Sequence, residues 1–297
     1  MSMQSSHLII RNFQHQRRRS KMEFVPEESK HLREDCSTLI VPALSIGNVG
    51  QLTADLMVSS MDAERVGYLD DPYVLPCVGN DAYGPLPQGI LSLTLEVYES
   101  HSNVLSILQQ RSPVVKGRMF EFAKNLADFV AGIGKKHVVI LSSLDFRMWQ
   151  NVDMSSGLQM YYVSSANADG TDENCEQLGW KKLKEYDPSQ KHWKQLSHLA
   201  EGNITGEDIL SDEDEQEENY YASLPFAALF SFLKAKGLKV TCLLCYCSEG
   251  DNISDAFQLA EAVSKFLKLS HPTSGEKWRV PLSWKTLYGP PPDVSIF

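Results

Sequence analysis

The sequence is short of cysteine, with six in 297 residues, scattered at Cys36, Cys77 and Cys175 apart from a group at Cys242, Cys245 and Cys247. So sparse a set does not frame a disulfide scaffold and suits the reduced thiols of a cytosolic protein. A chain of this length needs no cross-links, since folding at this size buries about 75% of the surface that the unfolded chain exposes. Long apolar runs are missing too. Leu8-Ile-Ile10 falls far short of the apolar core of a secretory signal, about 7 to 15 residues, and nothing approaches the roughly 18 apolar residues of a membrane span. Positive charge is in deficit: 28 Lys and Arg against 38 Asp and Glu leave a formal charge of -10. That balance argues against nucleic acid or an anionic membrane as the main partner.

Chemical signatures are equally scarce. Neither GxGxxG nor GxxxxGK followed by Ser or Thr occurs, so the established glycine-rich phosphate cradles are missing. There is no GxSxG elbow for a serine nucleophile. The eight histidines fall singly, with no HExxH and no close pair, so neither a metal site nor a cofactor is expected. Cys242 and Cys245 do form a CxxC, but they lie in Lys239 to Cys247, which reads as a buried strand. Residues an odd number apart in a strand face opposite ways, so the two thiols diverge.

What is present is alternation of buried strands with amphipathic helices. Ser37 to Ile46 reads as a strand broken by Gly47-Asn-Val-Gly50, with a helix over Gln51 to Met61 and a short strand over Arg65 to Leu69. Leu91 to Tyr98 alternates, with Leu91, Leu93, Leu95 and Val97 expected on one face and Val104 to Leu108 expected to pair with it as a hairpin. Met119, Phe122, Leu126, Phe129, Val130 and Ile133 recur at helical spacing. Val138 to Leu141 reads as a buried strand, Phe226 to Lys236 as a helix, Lys239 to Tyr246 as a strand and Ser254 to Leu269 as a helix. This pattern predicts an α/β sheet covered on both faces in a single domain.

Charge is unevenly spread along that domain. Residues 1–21 carry five basic residues and no acidic one; they read as a basic, disordered extension before Met22, with a transit peptide or a nuclear localisation patch as alternatives. Glu207 to Glu218 holds eight acidic residues in twelve. Residues 166–219 are therefore expected to be a largely exposed insertion with a helical part near Trp180 and a disordered acidic tract. Within it, Ser211 precedes four acidic residues and looks like an acid-directed phosphorylation site.

Two strand-to-helix turns are the candidate sites. Gly47, Asn48 and Gly50 stand where free N–H groups and a helix dipole favour anions, yet the same glycines serve equally for a tight turn and close helix packing. Glu249, Gly250, Asp251 and Asn252 form the second. Its carboxylates are possible acids, bases or magnesium ligands, and Asp251, Asn252 and Ser254 are also good helix caps. Ser142, Ser143 and His137 flank one strand without the glycines or the placement of a nucleophile and base.

Several segments together closely resemble the proteasome assembly chaperone 2 family: Met22 to Pro26, Leu39 to Leu52, Val66-Gly-Tyr68, Val78-Gly-Asn80 with Tyr83, Glu96-Val-Tyr98, Gln110-Arg-Ser112, Val139 to Ser143 and Ser248 to Ala256. The resemblance implies a three-layer α/β/α sandwich with a mixed central sheet, phosphorylase-like but without that active site, over residues 22–292. It implies a non-enzymatic chaperone of the cytoplasm and nucleus, paired as a heterodimer with proteasome assembly chaperone 1, that binds 20S proteasome alpha subunits and promotes alpha-ring formation. The alternative is a nucleoside-type enzyme using the two turns. Residues 293–297 form a flexible tail after Pro290-Pro-Pro292, and the resemblance makes Ser295, Ile296 and Phe297 the expected alpha-ring docking residues. They lack the penultimate Tyr usual in such tails. Phe226 to Leu229, where the family often has a glycine-rich turn, favours a continuous helix.

Overall fold

The computed structural model describes residues 21–84, 90–148, 160–204, 216–270 and 278–284. The basic extension up to residue 20, Glu207 to Glu215 with Ser211, Pro290 to Pro292 and the tail Asp293 to Phe297 lie outside the described residues.

Among the described residues, nine strands form one mixed sheet in the order β1-β3-β6-β7-β2-β8-β11-β9-β10. They are β1 (Glu23–Pro26), β2 (Thr38–Pro42), β3 (Glu64–Asp70), β6 (Leu95–Ser100), β7 (Leu105–Gln110), β8 (His137–Asp145), β9 (Met160–Ser164), β10 (Lys181–Lys182) and β11 (Lys239–Cys247); β4 (Val78–Gly79) and β5 (Ser92–Leu93) make a separate pair. The centre, β7-β2-β8-β11, is parallel. The β1-β3-β6-β7 wing is antiparallel.

Helices α1 (Val49–Ser60) and α7 (Ile253–Leu267) cover one face; α2 (Met119–Gly132), α4 (Lys191–Ala200), α5 (Gln216–Ser223) and α6 (Pro225–Ala235) cover the other, while the short α3 (Glu173–Gln177) leads toward β10. The result is three layers with two apolar cores. In α2, Phe122, Leu126 and Val130 fall one turn apart on a single buried face. Helix α6 opens with Pro225 at its first turn and buries every residue from Phe226 to Leu233. A helix apolar all round belongs between other elements, and α6 sits between the sheet, α2 and α4. The two CxxC thiols do diverge, with Cys242 in one core and Cys245 in the other.

One expectation is refined and one corrected. Residues 166–204 keep many exposed positions, but Cys175, Leu183, Tyr186, Trp193 and Leu196 are buried, and β10 extends the sheet beside β9. Tyr186 stands edge-on to Trp193 at 4.8 Å and to Phe230 at 5.5 Å. These few large side chains anchor the segment through contacts that leave no periodic signature. Leu91 does not share the face of Leu95 and Val97. The strand breaks at Thr94, whose carbonyl accepts from Arg111 N (2.9 Å) and whose hydroxyl accepts from Cys77 N (3.0 Å). The residues before Thr94 peel away as β5 to pair with β4, leaving Leu91 exposed.

Candidate functional site

The two conspicuous turns meet at the carboxyl ends of the parallel strands. Gly47 and Asn48 both have left-handed backbones, with φ of 65° and 51°, which lets the chain pass from β2 through a 3-10 turn into α1. A side chain at Gly47 would overlap the amide of Asn252, and one at Gly50 would come within 2.6 Å of the Leu141 carbonyl. Close approach therefore requires both glycines, and the left-handed turn additionally requires Gly47. Thr53 on α1 donates to the Ala256 carbonyl on α7 at 3.2 Å and ties the paired helices.

Asn252 does not cap α7 with its side chain. Its amide donates to the Ser248 carbonyl (2.9 Å) and to Asp255 (3.1 Å), while Asp251 Oδ1 accepts from Ile253 N at 3.1 Å. The side-chain acceptor at the start of this helix is thus Asp251, because Asn252 is held against Gly47. Glu249 stands at the rim of a cavity of about 210 Å³ whose lining includes Ser45, Ser143, Asp145, Arg147 and Tyr220. Ser143 Oγ donates to the Ile46 carbonyl at 2.5 Å and lies 2.8 Å from Ser45 Oγ. Asp145 pairs with Arg147 at 2.7 Å, and that hydrogen bond holds its carboxyl below the usual range. The hydroxyl proton is committed to a backbone carbonyl and the nearby acid to a cation. His137 lies at the opposite end of β8, bound to Thr241 Oγ1 at 3.1 Å. What the arrangement does is join two loops about 200 residues apart in sequence.

A second assembly, which the sequence reading missed, lies in the antiparallel wing. Glu96 on β6 is fully buried and bridges two arginines: Arg65 Nη1 meets Oε1 and Arg111 Nε meets Oε2, each at 2.6 Å. Asp55 of α1 accepts from Tyr83 Oη and from Gln109 Nε2, both at 2.6 Å, and pairs with Arg111 at 3.3 Å. Arg65 also reaches Glu27 at 2.5 Å. Burial alone would lower the Arg111 guanidinium, but Asp55, Tyr83 and Glu96 outweigh it and hold it firmly charged; burial, then Asp55, pushes the Tyr83 phenol up. Tyr83, Glu96 and Arg111 lie in segments that carry the family resemblance, but Glu96, an acid inside an apolar strand, was the signal of a buried charge.

This network holds up a surface. Arg65 Nη1 donates to the Leu91 carbonyl at 2.7 Å, Glu96 accepts from Leu93 N at 3.2 Å, and Tyr83, soon after β4, donates to Asp55. On the resulting ledge, Leu75, Val78, Ile90 and Leu91 are 46%, 65%, 56% and 54% exposed. Several large apolar side chains in the open around one fastened strand pair make this a candidate interaction surface.

Residues 39–276 match the PAC2 family. A Danio rerio chain called "Proteasome assembly chaperone 2" is 31% identical over 260 residues, covering 85% of this chain and 91% of that one. A Nematostella vectensis chain of the same name is 34% identical over 243 residues, covering 79% and 90%. Among solved structures, a Pyrococcus furiosus protein described as an archaeal homolog of proteasome-assembly chaperone aligns with a TM-score of 0.55 at 18% identity, covering 86% of this chain and 88% of its own. Another from the same organism, described as an archaeal proteasome activator, aligns at 0.54 and 15%, covering 84% and 91%. At such identities the likeness is one of fold.

Proposed function

The chain belongs to the PAC2 family, and from that premise we propose that it is a chaperone of 20S proteasome assembly, acting by binding and not by chemistry. The observation that carries this reading is the match, along nearly the whole length, to chains called Proteasome assembly chaperone 2. The site geometry agrees with it: the Gly47 and Asn252 turns are engaged with each other, and the apolar side chains stand elsewhere, on the ledge.

In this reading the chain pairs with proteasome assembly chaperone 1 as a heterodimer, the ledge of Leu75, Val78, Ile90 and Leu91 is the face the partner covers, and the pair receives alpha subunits in the cytoplasm and nucleus. Obligate interfaces are more apolar than ordinary surface, which is what the ledge offers. Ser295, Ile296 and Phe297 engage the alpha ring. Co-expression with proteasome assembly chaperone 1 is expected to yield an equimolar pair that precipitates alpha subunits. A chain that stays monomeric and retrieves neither sinks the proposal. Deleting Ser295 to Phe297 is expected to weaken capture of ring intermediates while leaving the pair intact.

A further inference from the structure

Ligands of open α/β sheets settle outside the carboxyl ends of the parallel strands, and the cavity of about 210 Å³ opens there, between the segments that follow β2, β8 and β11. At about 30 Å³ each, about seven waters would fill it, or one small group. Its lining holds a polar side chain without a partner. Ser142 of β8 is 1% exposed, and among the described residues its hydroxyl makes no hydrogen bond. Ser142 alternates with Ile140 and Leu144, which lie in the core beneath α2 and α6, so it faces the side that Tyr220 and Leu224 close. Buried hydroxyls are seldom left unpaired.

Ser143 has a single proton, which goes to the Ile46 carbonyl. At the 2.8 Å contact between the two hydroxyls Ser45 is therefore the donor, and its lone pairs stay open. The charges at the rim do not cancel. Arg147 spends Nε and Nη2 on Asp145, at 3.0 and 2.7 Å, which makes that pair neutral. Glu249 is exposed and has no ion pair among the described residues; after Asp145, it adds to the field that keeps Arg147 charged. One net negative charge thus stands over two hydroxyl oxygens, beside the apolar Leu44, Ile46 and Leu224.

We propose that this crevice binds a primary alkylammonium group on a short apolar stem. An ammonium brings three donors and no acceptor, which suits the Glu249 carboxylate and the oxygens of Ser45 and Ser142, while the methylenes lie against Leu44, Ile46 and Leu224. A carboxylate would be repelled by Glu249. A divalent metal would find a single unpaired carboxylate, and no group of three His, Cys, Asp or Glu able to hold one occurs among the described residues. The ammonium is carried by a free small amine or by a lysine of a protein partner. The site stands whether or not the chain is a chaperone.

The test titrates the full chain with n-butylammonium, 1-butanol or butyrate while amide resonances are followed. Saturable shifts for butylammonium alone, in residues 44–46, 142–147 and 249, with a dissociation constant in the millimolar range, are expected. Glu249→Gln should weaken binding about fivefold and Ser142→Ala about threefold, with resonances far from the crevice unmoved, so that lost binding is not lost fold. Glu249→Gln, at an exposed position, decides alone if Ser142→Ala disturbs the core. No saturable shift, an equal response to butanol or butyrate, shifts elsewhere, or undiminished affinity in either folded variant would overturn the proposal. Nα-acetyl-lysine methylamide binding as well as butylammonium identifies a protein lysine as the source; its exclusion, with butylammonium still bound, identifies a free amine.

Discussion

The two halves of the central sheet solve the same problem with different chemistry. In the parallel half, the turn after β2 packs on the turn after β11 and on β8 through glycine contacts and a neutral hydrogen bond: Gly47 against Asn252, Gly50 against Leu141, Ser143 on Ile46. In the antiparallel wing, Glu96, Arg65, Arg111 and Asp55 form a chain of buried charges. The first half carries the motifs that catch the eye, and these bind the molecule to itself. The second reads as plain strand and presents the exposed surface. A conspicuous strand-to-helix turn is thus poor grounds for an active site until its donors and acceptors have been traced to their partners.

The sharpest way to break this contrast is Glu96→Ala, which strands two guanidinium groups in the wing. Losing one member of a buried ionic cluster costs about 3–5 kcal/mol. We expect a loss of that size in urea unfolding, together with faster amide exchange over residues 77–83 and 90–94. If stability falls but exchange in those segments does not change, the network is not what holds the ledge.

The parallel half carries the acid sensitivity. Burial, then the nearby Lys239, brings the pKa of His137 down to about 4, although Asp172 opposes the shift. The unfolded chain takes up this proton near pH 6.5, while the folded chain refuses it until near 4. Stability is therefore complete above about pH 6.5 and declines by up to about 3 kcal/mol as pH falls to 4. His137→Gln should flatten the melting-temperature profile in that window, and an unchanged slope would exclude this ring as its source.

Gly47→Ala probes the interlock, where both a left-handed backbone and the Asn252 amide oppose a side chain. A loss of about 2–3 kcal/mol is expected, with exchange on the ledge unaffected. The smallest effect on stability belongs to V78D/L91D, less than about 0.5 kcal/mol at exposed positions, combined with loss of partner capture. A variant that melts early instead would mean that these side chains support the fold and do not serve a surface.

Much of this was legible in sequence. The central strands and covering helices followed from apolar period, and Gly47 and Gly50 announced a tight turn. Their neighbours were not announced, because Asn252, against Gly47, and Leu141, against Gly50, are distant in sequence and close approach leaves no local trace. Glu96 sat in an apolar strand, but nothing nearby in sequence pointed to Arg65, Arg111 and Asp55 as its neighbours. Leu91 was assigned to the core because its alternation with Leu93 and Leu95 continues unbroken through Thr94, where the backbone changes partner. Trp193 and Tyr186 escaped notice because a few aromatic rings anchor that region where a periodic face would have been visible.

Strand β11 lies between β8 and β9, yet among the described strands it is the last that the ribosome makes. From Asp145, where β8 ends, to Cys247 is about a hundred residues, or roughly 5–20 s of translation. Through that interval β8 offers one unpaired row of backbone donors and acceptors to whatever is near, the condition that invites strands of other chains. On this topology the open edge of β8 outlasts its own synthesis by seconds, and it closes when β11 arrives.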